Sequence, residues 1–128
     1  MYLENSKTII VKIGSSLIIN DKKIIRKKWL LEFAKDIKAL RKKNKNIIIV
    51  SSGAIALGCK KLNITKKKLK IDQSQAVASV GQIELMNLFK EVFAIQKINI
   101  SQILLTLEDT EIRRRACLLY TSDAADDV

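Results

Sequence analysis

Thr8-Ile9-Ile10-Val11-Lys12-Ile13-Gly14-Ser15-Ser16, residues 8–16, decides the fold. A short, largely β-branched run ends at a glycine and gives way to two serines. That pattern is a buried strand running into a loop. It recurs at residues 47–53, Ile47-Ile48-Ile49-Val50-Ser51-Ser52-Gly53. Between the two runs, Trp29, Phe33, Ile37 and Leu40 recur at intervals of four, four and three. This spacing lines one face of a helix, with Lys and Arg on the other. Asp21 is the expected N-cap, with the helix beginning near Lys22. Asn44-Lys45-Asn46 breaks it.

Beyond the second strand, residues 54–62 read as a helix and residues 63–70 as a basic connection. Asp72 is the expected cap of the next helical region, which Gly81 divides in two. The second part carries Leu85, Leu88, Phe89, Val92 and Phe93 on one side. Residues 98–105 read as a third strand. The order is therefore strand, helix, strand, helices, strand. Apolar strands alternating with amphipathic helices give an α/β fold whose parallel sheet is covered on both faces. Ligands bind such sheets at the carboxyl ends of the strands. That places attention on residues 12–16 and 51–53.

Composition excludes several classes. A chain of 128 residues is long enough for one domain with its own core. It contains no histidine, which removes Ser-His-Asp and Cys-His catalysis and the HExxH zinc site. Its two cysteines, Cys59 and Cys117, have neither disulfide-framework nor metal-ligand spacing, and the expected compartment is the reducing cytoplasm. No apolar run is long enough for a membrane span, and residues 1–6 lack a signal-peptide core. The net charge is +11, from 24 basic and 13 acidic residues. Such a balance suits a nucleic-acid partner. No aromatic interleaving accompanies the lysines, however, and proline is absent while Ile, Lys and Asn abound, as in AT-rich coding. Most of this charge reads as solvated surface, with no nucleic acid expected.

Lys12 is the first residue that could carry chemistry. A cation near the end of an apolar strand wants an anion beside it. Gly14 would let backbone amides approach phosphate oxygens, and Ser15 and Ser16 add hydroxyls. The plainer alternative is a strand lysine whose stem packs while its head reaches water. Alone, Lys12 favours that alternative. Ser51-Ser52-Gly53-Ala54 lies at a strand-to-helix junction, where free amides and the helix dipole attract a carboxylate or phosphate. A simple serine N-cap followed by a glycine turn explains it equally well. Gly53 and Gly58 have the glycine spacing of a P-loop, but Cys59-Lys60 follows instead of Lys then Ser or Thr, so that motif is rejected. Residues 73–82, rich in small side chains, suit close packing of a helix on the sheet, with Gln75 and Gln82 as polar contacts.

Together these segments resemble one family. Val11-Lys12-Ile13-Gly14-Ser15-Ser16, Val50-Ser51-Ser52-Gly53-Ala54-Ile55-Ala56-Leu57-Gly58, Gln75-Ala76-Val77-Ala78-Ser79-Val80-Gly81-Gln82 with Leu85-Met86, and Gln102-Ile103-Leu104-Leu105-Thr106 occur in this order in the glutamate 5-kinases of the amino-acid kinase superfamily. The resemblance covers residues 7–115. It implies a three-layer αβα sandwich, of which only the N-terminal part is present. It also implies ATP-dependent phosphorylation of the γ-carboxylate of L-glutamate, the first step of proline biosynthesis, with Mg²⁺. By motif match, Lys12 would contact the ATP phosphates and act catalytically. Gly14 and Ser15 would form the phosphate-facing loop. Ser52, Gly53 and Ala54 would form the glutamate pocket. No protein ligand to a metal is implied. A cytoplasmic homo-oligomer is expected at full length. A carboxylate is already nucleophilic at neutral pH, so a chain without histidine suits this reaction.

The alternatives are another superfamily member, acting on acetylglutamate, carbamate or a nucleotide monophosphate, a non-catalytic basic nucleic-acid-binding module, or a regulatory half-domain. Residues 1–115 are expected to form the N-terminal part of the kinase domain. Residues 116–128, Ala116-Cys117-Leu118-Leu119-Tyr120-Thr121-Ser122-Asp123-Ala124-Ala125-Asp126-Asp127-Val128, contain no Lys or Arg and resemble translated adapter or vector sequence. The expectation is a truncated polypeptide, poorly soluble and inactive on its own.

Overall fold

Two strands, Thr8–Ile13 (β1) and Asn46–Ser51 (β2), pair in parallel and in register, from Thr8 opposite Asn46 to Ile13 opposite Ser51. The computed structural model describes residues 5–104. Between the strands lie a single turn, Ser15–Ile18 (α1), and Lys27–Lys42 (α2), and after β2 come Ala54–Leu62 (α3) and Ile71–Ile95 (α4). A 3₁₀ turn at Lys66–Lys68 interrupts the basic connection. The chain divides into two units after Ile98. The α/β class and the parallel sheet are borne out.

Alternation along the strands sorts their side chains onto two faces. Ile9 and Ile13 are buried on one face, and the helical residues Ile18, Leu30, Val92 and Phe93 are buried with them in the core. Ile10 and Val50, on the opposite face, are 55% and 48% exposed. Among the described residues the sheet is thus layered on one side, and its second covering is not formed by them.

Three local expectations are corrected. The first long helix starts at Lys27, not near Lys22, and Asp21 caps nothing there. The Asn20 side chain instead accepts hydrogen bonds from the Lys22 and Ile24 amides at 2.9 and 3.0 Å, folding residues 20–24 into a turn. Ile19 and Ile25 bridge across it, and Lys23 takes the left-handed conformation at φ 60°. Second, Gly81 does not divide α4, which runs unbroken from Ile71 to Ile95 behind Lys70 as N-cap residue. The small residues face α3 rather than the sheet. A β-carbon on Gly81 would collide with the Ala54 carbonyl, and one on Gly58 would stand 2.7 Å from a Val77 methyl. The two glycines let the helix backbones touch. Third, residues 98–104 form no strand. Ile103 and Leu104 are 62% and 75% exposed. An apolar run becomes a strand only where a ladder partner satisfies its amides, and the described sheet ends at two strands. Leu105 and the boundary expected after Arg115 lie outside the described residues.

The apolar face of α2 is centred on Leu30, Ala34 and Ile37, with Trp29 and Phe33 at its margin. Trp29 stacks on Phe33 at 5.3 Å, and Phe33 meets Phe93 of α4 edge-on at 6.3 Å. No described helix is long and apolar enough to cross a membrane.

Candidate functional site

Parallel pairing fixes the site before any side chain is considered. Ile13 lies opposite Ser51, so both strands end at the same level. The loops that leave them, Gly14-Ser15 and Ser52-Gly53, start about 4.8 Å apart, the spacing of neighbouring strands. They also touch further on. A β-carbon on Gly53 would stand 2.9 Å from Ile18 Cδ1 and 3.6 Å from Leu85 Cδ1. Gly53 is buried there as the N-cap residue of α3. Any larger side chain would push α1 and α4 away from the turn.

Lys12 pairs with Val50 on the open face of the sheet. It is exposed among the described residues, as the plainer alternative of a strand lysine whose head reaches water has it. Its ammonium group forms none of the ion pairs found among them. Gly14 has φ −73° and ψ 158°, a conformation open to any residue, and a β-carbon there would meet nothing within 4 Å. Neither backbone strain nor crowding within the described chain asks for glycine. Ser15 opens α1, and its carbonyl accepts a hydrogen bond from the Ile19 amide at 3.0 Å.

Ser52 is exposed and precedes the N-cap position, and α3 has no side-chain cap. The plain capping explanation of the serines is therefore set aside: neither Ser51 nor Ser52 satisfies an amide of the helix. The first-turn amides of α3 have no intrahelical acceptor and carry the positive end of its dipole. Ala54 begins this turn, and its carbonyl abuts Gly81. The six residues singled out from sequence thus gather at the carboxyl end of the sheet: Lys12 in β1 with Gly14 and Ser15 just beyond it, and Ser52 and Gly53 just beyond β2 with Ala54 opening α3.

Ser51 belongs to the strand-to-helix junction that the sequence singles out, but no separate role for it is expected there. Its hydroxyl is buried without a hydrogen-bond partner among the described residues. The strand alternation Ile47, Ile49, Ser51 would have revealed a hydroxyl on the apolar face. A surface depression of about 540 Å³ lies elsewhere, at the far end of α3. Asn63, Thr65, Lys68, Gln73 and Val77 are among its lining residues, and none of the six site residues reaches it.

Part of the positive charge serves the fold. Lys23 Nζ donates to the Ile64 carbonyl at 3.1 Å, and Lys60 Nζ to the Lys23 carbonyl at 2.8 Å. Lys61 lies 3.6 Å from Glu84. No group of three or more His, Cys, Asp or Glu among the described residues could hold a metal ion.

Residues 7–125 match the amino acid kinase family, so the match extends past Arg115. The chain is 76% identical over 116 residues to a protein named glutamate 5-kinase from Pelagibacter ubique (strain HTCC1062), covering 91% of this chain and 32% of that protein. It is 44% identical over 114 residues to one of the same name from Ruegeria sp. (strain TM1040), covering 88% and 31%. A third, from Sinorhizobium fredii (strain NBRC 101917 / NGR234), is 47% identical over 113 residues, covering 88% and 29%. The chain spans about a third of the length of these relatives.

Proposed function

The chain belongs to the amino acid kinase family, and on that premise we propose that it is the N-terminal part of an enzyme that phosphorylates the γ-carboxylate of L-glutamate with ATP. The observation that carries this reading is the common end of β1 and β2, where Ile13 lies opposite Ser51. That register sets a cation, a glycine-serine loop and a helix N-terminus side by side. The name borne by the similar proteins supports glutamate as the acceptor.

A γ-carboxylate oxygen attacks the γ-phosphorus of ATP. The bond from that phosphorus to the β,γ-bridging oxygen breaks, and its electron pair leaves with ADP. The product is L-glutamyl 5-phosphate, an acyl phosphate that enters proline biosynthesis. No base is needed, because the nucleophile is already ionised. What the protein supplies is placement and charge. The Lys12 ammonium group offsets charge on the phosphates at the end of β1. Backbone amides of Gly14 and Ser15 donate to phosphate oxygens, and the bare α-carbon of Gly14 leaves them room. Ser52 donates its hydroxyl to glutamate, while Gly53 and Ala54 shape the turn beneath it. Mg²⁺ bound with ATP withdraws charge from the phosphates, and the described residues contribute no cluster to ligate it. In this reading the enzyme is cytoplasmic and homo-oligomeric, with no nucleic-acid partner.

The test uses a polypeptide of the relatives' length that contains this chain. Glutamate-dependent ADP release, with the acyl phosphate trapped by hydroxylamine, is the expected result. Preferential phosphorylation of acetylglutamate, carbamate or a nucleotide monophosphate would move the chain to another branch of the family.

A further inference from the structure

We infer that Ser51 is a positioning residue for the amino-acid substrate, its hydroxyl gaining a hydrogen-bond partner only in the substrate complex. The inference rests on the function proposed above. Ser51 ends β2 opposite Ile13, immediately before the exposed Ser52. Strand alternation puts it on the covered face with Ile47 and Ile49. Its hydroxyl oxygen is buried and has no hydrogen-bond partner among the described residues.

A buried hydroxyl without a partner is disfavoured, and such groups are few in folded proteins. No contact among the described residues asks for this one. The ladder to β1 uses backbone groups, and α3 has no side-chain cap. An apolar side chain would continue the isoleucine stripe. The adjoining turn, residues 52–54, is the proposed seat of the substrate. Drawing a carboxylate onto its amides re-aims the peptide groups next to Ser51. The buried hydroxyl then closes on the substrate or on a re-aimed carbonyl. A bond made only in the complex contributes to affinity, because it distinguishes the bound state from the free one.

Steady-state kinetics and thermal melting of the relatives'-length kinase test this. Ser51→Ala is expected to raise the KM for glutamate about fivefold, the equivalent of one neutral hydrogen bond. The KM for ATP and the melting temperature stay at wild-type values. Ser51→Thr keeps the hydroxyl and restores the glutamate KM. An alanine variant with a wild-type glutamate KM overturns the inference. So does one that melts lower with its KM unmoved, since the hydroxyl would then serve the folded core. If the unmodified enzyme phosphorylates no glutamate, the functional reading falls and this inference falls with it. An active enzyme indifferent to Ser51→Ala removes the inference alone.

Discussion

The backbone carbonyl of Ala54 occupies the space that a side chain on Gly81 would need. A β-carbon there would also stand 2.6 Å from the Gly58 amide nitrogen. Both obstacles are backbone atoms, so neither can swing aside. Gly81→Ala is expected to destabilise the fold by about 1–3 kcal/mol or more, as overpacking does. Denaturant unfolding measures it, and a variant within about 0.5 kcal/mol of wild type would show that α3 and α4 separate easily.

Gly14 predicts the opposite balance. Its φ of −73° and the open space around it tolerate a methyl group. Gly14→Ala should leave stability within about 0.5 kcal/mol. In the relatives'-length enzyme it should lower kcat/KM for ATP on the order of 10²-fold, because displaced phosphates lose their alignment. Unchanged turnover would remove this loop from the phosphate site.

Lys12 and Ser52 separate charge neutralisation from substrate binding. Lys12→Ala should lower kcat about 10²–10³-fold, the usual effect of losing one transition-state donor. Ser52→Ala should chiefly raise the KM for glutamate. Neither should lower the melting temperature, since both residues are exposed and Ser52 caps no helix. A capping serine would by contrast contribute about 1 kcal/mol. Normal kinetics in either variant would strike that residue from the site.

Packing and surface charge contribute unequally where α2 meets α4. Phe93 is 1% exposed and meets Phe33 edge-on. Phe93→Ala should lose about 3–5 kcal/mol. Lys27 and Glu91 form an ion pair across the same helices, but both side chains are at least half exposed. Glu91→Gln should change stability by less than about 1 kcal/mol. Chemical denaturation of the two variants reads both effects.

Strand and helix positions were legible where the local signal was one-sided. The β-branched run 8–13 became β1, and the helix expected over 54–62 became α3 with the same limits. The errors came from residues whose role depends on a neighbour. Asp21 looks like a cap only until Asn20 takes the nearby amides. Gly81 looks like a helix breaker unless a second helix lies against it. Ile103 and Leu104 look buried until the ladder is counted. The six site residues were brought together by β-register, which no local pattern displays. Lys12 was placed near its strand end correctly, but its exposure follows from the open sheet face, a property of packing.

The contact between Gly58 and Gly81 also dictates where the gene can change length. One residue added to α3 between Gly53 and Gly58 would rotate Gly58 by about 100° around the helix, turning a side chain into the backbone of α4. The connection at residues 63–70 bears no such constraint, since its lysines are exposed and only a single 3₁₀ turn interrupts it. Insertions and deletions among related sequences should therefore collect there and spare both helices.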